Sequence, residues 1–108
     1  MRHFNQLSPS EHERLAILIE ELGEAIHIAG KILRHGYESM NPVDSNSVIN
    51  RALLERELGD VQYAIIALCD ADDLDKDEIY AWADKKKLSI KQWLHHQNNL
   101  MAMIEEEK

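Results

Sequence analysis

Apolar residues recur along this chain at alternating steps of three and four, the spacing of one face of an α-helix. Ser8, Pro9 and Glu11 form the pattern of a capping box with proline at the first helical position, and Gly36 is a typical helix stop. The sequence therefore predicts a first helix from Pro9 to about Arg34, with more than one flank buried. Its apolar positions are Leu15, Leu18, Leu22, Ala25, Ala29 and Ile32, widened by Ile19, Ile26 and Leu33.

A second stripe with the same spacing predicts a second helix that begins near Asn46 or Ser47 and ends at about Ala71. Between the two helices, residues 36–46 form the only long irregular segment, and a loop of this length in a compact domain is often functional. The apolar positions of the second stripe are Leu54, Leu58, Val61, Ile65 and Leu68.

A third helical stretch is predicted to begin at the cap formed by Asp75 and Glu78 and to carry apolar residues as far as Ile104, with a break near Lys87 to Ser89. No segment alternates as a strand does, so the predicted fold is all-α, with three or four helices. Their apolar stripes are wider than one small monomer can bury. We therefore expect homo-oligomerisation, to a homodimer or a homotetramer, to complete the bundle.

Length and charge narrow the function classes. A chain of 108 residues is expected to form a single domain, and its net charge of −8 argues against a nucleic-acid polymer or an anionic membrane as partner. The early residues show no signal-peptide core, and the single Cys69 cannot form an intramolecular disulfide. We expect a cytoplasmic protein whose Cys69 packs in the core.

Two acidic motifs carry the candidate chemistry: Glu21-Leu-Gly-Glu24 and Glu57-Leu-Gly-Asp60. Residues three apart on a helix lie about 60° apart around the axis, so each pair projects from one face. If the two helices pack with these faces opposed, four carboxylates converge, and a hard divalent cation such as Mg²⁺ or Mn²⁺ offsets their repulsion. The glycine in each motif, unfavourable within a helix, suggests that space is needed beside the acids.

Glu20-Glu21-Leu-Gly-Glu24, followed by Glu57-Leu-Gly-Asp60-Val, resembles the MazG-like superfamily of all-α nucleoside triphosphate pyrophosphatases. The similarity covers roughly residues 10–70. It implies Mg²⁺-dependent hydrolysis of a nucleoside triphosphate to a monophosphate and pyrophosphate, by a dimer or tetramer. It also implies that Glu21, Glu24, Glu57 and Asp60 are the metal ligands, in a single domain of this type over residues 1–108.

Pyrophosphohydrolysis also needs a base and cationic groups. Glu20, or a ligand carboxylate such as Glu21, is the candidate to accept the proton of the attacking water. Lys31, Arg34 and Arg56 are the candidate phosphate-binding residues, although cations at such positions are also common on solvated helix faces. Further candidates are the cations Arg51, Lys85, Lys86 and Lys87, and the aromatic residues Tyr37, Tyr63, Trp82 and Trp93.

Two alternatives to this function stay open. A phosphoribosyl-ATP pyrophosphohydrolase of histidine biosynthesis would use similar acidic helical motifs and the same chemistry. A non-catalytic, metal-binding helical oligomerisation module would retain the metal cluster without releasing pyrophosphate. Metal-dependent release of pyrophosphate separates either enzyme from the module.

Overall fold

A computed structural model, which describes residues 4–43 and 47–97, shows an all-helical protein. Within these ranges there are three α-helices and one short 3₁₀ helix, and no strand. The all-α prediction is confirmed. The chain forms two compact units that divide between Leu74 and Asp75. The elements are α1 (Pro9–His35), α2 (Asn50–Asp70), α3 (Lys76–Ser89) and the 3₁₀ helix Ile90–Trp93.

The first helix begins and ends where local sequence signals predict. The Ser8 hydroxyl accepts a hydrogen bond from the Glu11 amide at 3.1 Å, and the Glu11 carboxylate accepts one from the Ser8 amide at 2.9 Å. This reciprocal pair satisfies two amides that the first turn leaves without a helical partner. At the other end Gly36 has a φ of +89°, and its amide donates to the Ile32 carbonyl at 2.7 Å.

The second helix begins at Asn50, a few residues later than predicted; Asn46 itself lies outside the described residues. The amides of Asn50 and Arg51 donate to the carbonyls of Ser39 and Tyr37, each at 2.9 Å. This pairing with the loop holds the preceding residues in an extended path that competes with helix formation. The difference from the prediction is therefore a tertiary effect.

Helices α1 and α2 pack as an antiparallel hairpin. At one end Arg14, early in α1, donates two hydrogen bonds to the Asp73 carboxylate just beyond α2, at 2.6 and 3.1 Å. At the other end the Asn50 side-chain amide, at the start of α2, donates to the Gly36 carbonyl at 3.2 Å. These contacts tie the start of each helix to the end of the other.

The face that each helix turns toward its partner forms the seam of the hairpin. Its buried positions follow the steps of three and four expected for two long helices in contact. On both helices the same spacing runs through a half-buried glutamate, Glu21 in α1 and Glu57 in α2. The buried apolar side chains of the seam are Ala25, Ile28, Val61, Ala64 and Leu68.

Much of the apolar stripe predicted for the first helix lies outside the seam. We call these positions the outer stripe; their exposed fractions run from 36% at Leu15 to 90% at Leu33. Two helices can cover only one face of each other, so the remaining apolar width of α1 stays exposed in a single chain. The outer stripe consists of Leu15, Ile19, Leu22, Ile26 and Leu33.

The second unit contains α3, whose cap is confirmed. The Asp75 carboxylate accepts a hydrogen bond from the Asp77 amide at 2.9 Å, and acidic residues occupy the first turn, where they suit the helix dipole. The α-helix ends at Ser89, where a break was predicted, and the 3₁₀ helix follows. The predicted continuation to Ile104 passes beyond residue 97 and lies outside the described residues. None of the described helices has the length and apolar character needed to cross a bilayer.

Candidate metal centre

The structure brings the two acidic motifs together at the middle of the hairpin. Glu21 and Glu24 from α1 and Glu57 and Asp60 from α2 each offer one carboxylate oxygen, and these four oxygens lie within 4.8 Å of one another. We call this group the acidic cluster. The i,i+3 spacing places each pair on one helix face, and the antiparallel packing opposes the two faces.

The four acids differ in burial. Glu21 and Glu57 lie in the seam and are half-buried, whereas Glu24 and Asp60 are exposed at its edge. One oxygen each of Glu21 and Glu57, Oε2, has no solvent access and no hydrogen-bond donor. A buried polar atom without a partner is costly and rare in a folded protein, so this pair requires an explanation.

The electrostatics of the acidic cluster agree with its geometry. Burial is the largest cause that raises the pKa of Glu21, followed by repulsion from Glu24, Asp60 and Glu20. Burial also raises the pKa of Glu57 most, followed by the close approach of the Glu24 carboxylate and repulsion from Asp60 and Glu21. Both shifts mean that negative charge is unfavourable here unless something positive neutralises it.

A divalent cation fits this donor set. All four side chains supply carboxylate oxygens, the ligands that hard ions such as Mg²⁺ and Mn²⁺ prefer, and no histidine or cysteine belongs to the group. A cation would provide the missing partner for the two buried Oε2 atoms and remove the repulsion among the carboxylates. Glu21, Glu24, Glu57 and Asp60 are therefore the residues that could hold a metal.

The glycines in the motifs are not required by crowding within the described part of the chain. A Cβ atom built on Gly23 or on Gly59 would meet no other atom within 4 Å. The expectation that a neighbour needs this space is therefore not met inside one protomer. The open space lies on helix positions directly beside Glu24 and Asp60.

The remaining predicted site residues lie at different distances from the acidic cluster. Glu20 is exposed and outside the group of four, and it acts on Glu21 through its charge. Arg56 is exposed on α2, one helical turn before Asp60. Lys31 and Arg34 line a cavity at the loop end of the hairpin instead.

Arg51 and Tyr37 were further candidates from the sequence, Arg51 as a cation and Tyr37 as an aromatic residue. In the structure they contact each other and the loop. The Arg51 guanidinium donates to Glu38 Oε1 at 2.6 and 2.9 Å and lies 4.5 Å from the centre of the Tyr37 ring. These contacts hold the loop against the start of α2. In the second unit, Lys85 lies 4.4 Å from the Trp82 ring, so these two candidates also pack on each other.

Sequence reasoning missed the cavity between the end of α1, the loop and the start of α2. Its volume is about 330 Å³. Helical spacing could not have revealed it, because its walls come from three separate segments: the end of α1, the loop and the start of α2. The one local signal was the pair of cations, Lys31 and Arg34, one helical turn apart.

Comparisons with protein-family models, with curated proteins and with solved structures found no match for this chain. The resemblance to MazG-like pyrophosphatases therefore rests on the two acidic motifs and their separation along the sequence.

Proposed function

We propose that this protein is a Mg²⁺-dependent nucleoside triphosphate pyrophosphohydrolase, with Mn²⁺ as a possible substitute, that releases a nucleoside monophosphate and pyrophosphate. The observation that carries the proposal is the acidic cluster with its two buried, unpartnered oxygens, on Glu21 and Glu57. A purely structural seam is more stable with apolar residues at these two positions. Their presence is better explained by a bound cation and the chemistry that it supports.

In the proposed reaction a water oxygen bonds to the α-phosphorus and the bond from that phosphorus to the bridging oxygen of the β-phosphate breaks. A divalent cation held by Glu21, Glu24, Glu57 and Asp60 would acidify that water and stabilise the charge of the leaving pyrophosphate. Glu24 and Asp60, at the exposed edge of the cluster, stand where a substrate can approach. Glu20 and Glu21 are the proposed proton acceptors, and a carboxylate there takes the proton that the water loses.

The cations near the acidic cluster are proposed to bind the phosphates. Arg56 lies one helical turn before Asp60 on α2. Lys31 lies two turns beyond Glu24 on nearly the same face of α1. Arg34 lies one further turn along. An acidic protein can bind a polyanion when local cations and a metal dominate the field at the site.

We further propose that a homodimer or homotetramer is the functional form. The outer stripe exposes five large apolar side chains along one helix, more than a monomeric surface of this size normally shows in one line. A second copy of α1 or α2 packed on this stripe would complete the helical bundle.

The test is pyrophosphate release from a panel of nucleoside and deoxynucleoside triphosphates, with Mg²⁺ and with a chelator. Glu57→Gln keeps the size of the side chain but removes one charge from the acidic cluster, so we expect activity to fall by about 100-fold or more. Glu55→Gln, the same substitution at an exposed position of the same helix, is the matched control and is expected to keep full activity.

The outcomes separate the alternatives. Activity that disappears with the chelator and in Glu57→Gln, but not in Glu55→Gln, supports the proposal. Release of pyrophosphate from phosphoribosyl-ATP alone would reassign the enzyme to histidine biosynthesis. A folded, metal-binding protein that releases pyrophosphate from none of these substrates would be a non-catalytic module, and the proposal would be wrong.

A further inference from the structure

The cavity at the loop end of the hairpin is basic in a protein that is otherwise acidic. The chain has 20 Asp and Glu against 12 Lys and Arg, yet the described residues that line this cavity include no Asp or Glu. We call it the basic pocket. Its polar lining consists of Lys31, Arg34, His35, Ser39, Asn41 and Asn50.

The start of α2 adds to the positive character of the basic pocket. Asn50 and Leu53, both in the first turn of α2, line it. Ile49 occupies the cap position of α2 and offers no side-chain acceptor to the first amides. The amides of Asn50 and Arg51 donate to the carbonyls of Ser39 and Tyr37, so the start of α2 contributes the positive end of its dipole to the pocket and not free amides.

The walls of the basic pocket are fixed by hydrogen bonds. Asn50 is only 5% exposed; its backbone amide donates to the Ser39 carbonyl at 2.9 Å, and its side chain donates to the Gly36 carbonyl at 3.2 Å. Met40 and Ile49 form an isolated antiparallel bridge next to this contact. A site whose walls are already ordered loses less entropy when a ligand binds.

The basic pocket is adjacent to the acidic cluster along the hairpin. Lys31 follows Glu24 by seven residues, which places the two on nearly the same face of α1, about 10 Å apart along its axis. Side chains lean toward the start of their own helix. In this antiparallel pair, Lys31 therefore leans toward the cluster, and Glu57 of α2 leans toward the pocket.

We propose that the basic pocket binds a diphosphate group, a compact anion whose several charges suit a pocket lined by Lys31, Arg34 and His35. The pocket does not need a metal for this, because its own side chains supply the positive charge. The identity of this diphosphate rests on the proposed function: it is the terminal part of the nucleoside triphosphate. Lys31 and Arg34 hold it while the acidic cluster acts on the α-phosphorus. Free pyrophosphate has the same chemistry and is the second source.

The first experiment measures binding of inorganic pyrophosphate to the full chain by calorimetry, in the presence of a chelator so that no metal contributes. We expect Lys31→Gln and Arg34→Gln each to weaken binding by about tenfold, the loss of one charge-assisted hydrogen bond. Lys76→Gln removes the same charge from the exposed first turn of α3 and is expected to leave binding unchanged. Glu57→Gln is expected to bind pyrophosphate at least as tightly as the unmodified protein.

The same variants then identify the source of the diphosphate. If the substrate supplies it, Lys31→Gln and Arg34→Gln raise the KM for the triphosphate in parallel with their loss of pyrophosphate affinity. If free pyrophosphate is the ligand, its affinity falls while KM stays the same, and the role proposed above for Lys31 and Arg34 in binding the substrate would be wrong. Both results support the pocket as a diphosphate site.

Two results would overturn the proposal. One is that calorimetry in the presence of chelator detects no binding of pyrophosphate at millimolar concentrations. The other is unchanged binding in Arg34→Gln together with a lower melting temperature, which would show that these cations only stabilise the end of α1. Because pyrophosphate binding is measured without metal or turnover, the pocket proposal can fail or succeed independently of the proposed function.

Discussion

Glu21 of α1 and Glu57 of α2 occupy equivalent positions in the seam of the hairpin, and each keeps one carboxylate oxygen away from solvent without a donor. Both positions continue the steps of three and four that the buried apolar residues follow, so packing alone would favour an apolar side chain at each. The two helices are therefore held together around a pair of groups that repel each other when ionised.

Divalent cations should stabilise the fold. A cation that binds the folded state alone raises the free energy of unfolding, by about 2.7 kcal/mol at a concentration 100 times its Kd. We expect the melting temperature to rise with the logarithm of Mg²⁺ or Mn²⁺ concentration, as measured by differential scanning fluorimetry. Glu21→Gln and Glu57→Gln should reduce this rise, and Glu55→Gln should retain it. An equal rise in all four proteins would show that the cations act elsewhere.

Without metal, stability should depend on pH in the direction opposite to ordinary acid denaturation. The folded-state pKa values of Glu21 and Glu57 lie above the usual glutamate value of about 4.3. Their stabilising effect is therefore fully present below the unfolded-state pKa and is lost as the pH rises through the folded-state values. In chelator, the melting temperature should fall between about pH 4.5 and neutrality, and the double variant Glu21→Gln, Glu57→Gln should show a smaller fall. A metal-free protein that becomes more stable over this range would contradict the prediction.

The ion pair at the open end of the hairpin should matter at low pH. The hydrogen bond from Arg14, the largest cause, lowers the pKa of Asp73. A lowered carboxylate pKa gives stability that is present above the unfolded-state value and lost as the pH falls through the folded-state value. Asp73→Asn should lower the melting temperature at pH 7 and leave it nearly unchanged near pH 2. Asp77 is less suitable for comparison because it lies in the first turn of α3, so Asp84→Asn, an exposed site, serves as control.

Helical glycines beside the acidic cluster should be replaceable without a clash. Because a Cβ on Gly59 meets nothing within 4 Å, Gly59→Ala should raise the free energy of unfolding by about 1 kcal/mol through its better helix propensity. Chemical denaturation measures this gain. If pyrophosphate release falls at the same time, the open space serves a substrate or a partner subunit; a loss of stability would mean that the space is occupied in the native protein.

The outer stripe should carry the oligomer contact. Ile26, 71% exposed in a single chain, would be buried in the proposed assembly, so Ile26→Lys should shift the mass measured by light scattering toward the monomer. Ala16→Lys, at an exposed position of α1 outside the stripe, should leave the mass unchanged. A monomer in both the unmodified protein and Ile26→Lys would refute the oligomer.

The features that the sequence predicted correctly are those determined by residues close together along the chain. The limits of α1 depend on Ser8, Glu11 and Gly36, all within a turn of the helix ends, and these signals gave its start correctly and its end to within one residue. The acidic motifs have the same local character, since three-residue spacing places each pair on one face. The start of α2 was predicted too early because the loop, through Tyr37 and Ser39, takes up the first amides.

The choice of the buried face could not be predicted from periodicity. Leu22 and Glu21 are neighbours, and the stripe through Leu22 is the more apolar of the two, yet Glu21 lies in the seam and Leu22 is 41% exposed. Which face packs depends on the partner helix and on the contacts at both ends of the hairpin. A wide apolar stripe indicates that several surfaces will be covered, but not which one a single chain covers first.

The paired hydrogen bonds at the loop end also determine how the protein can change in length. The antiparallel bridge between Met40 and Ile49 fixes both ends of the loop segment between them. Residues added to or removed from that segment therefore need not shift one helix along the other. An insertion within α1 or α2, between the bridge and the acids, would move a carboxylate by about 1.5 Å and turn it by about 100° for each residue. Variation in length should therefore be tolerated at the tip of the loop and should abolish the site when it falls inside either helix.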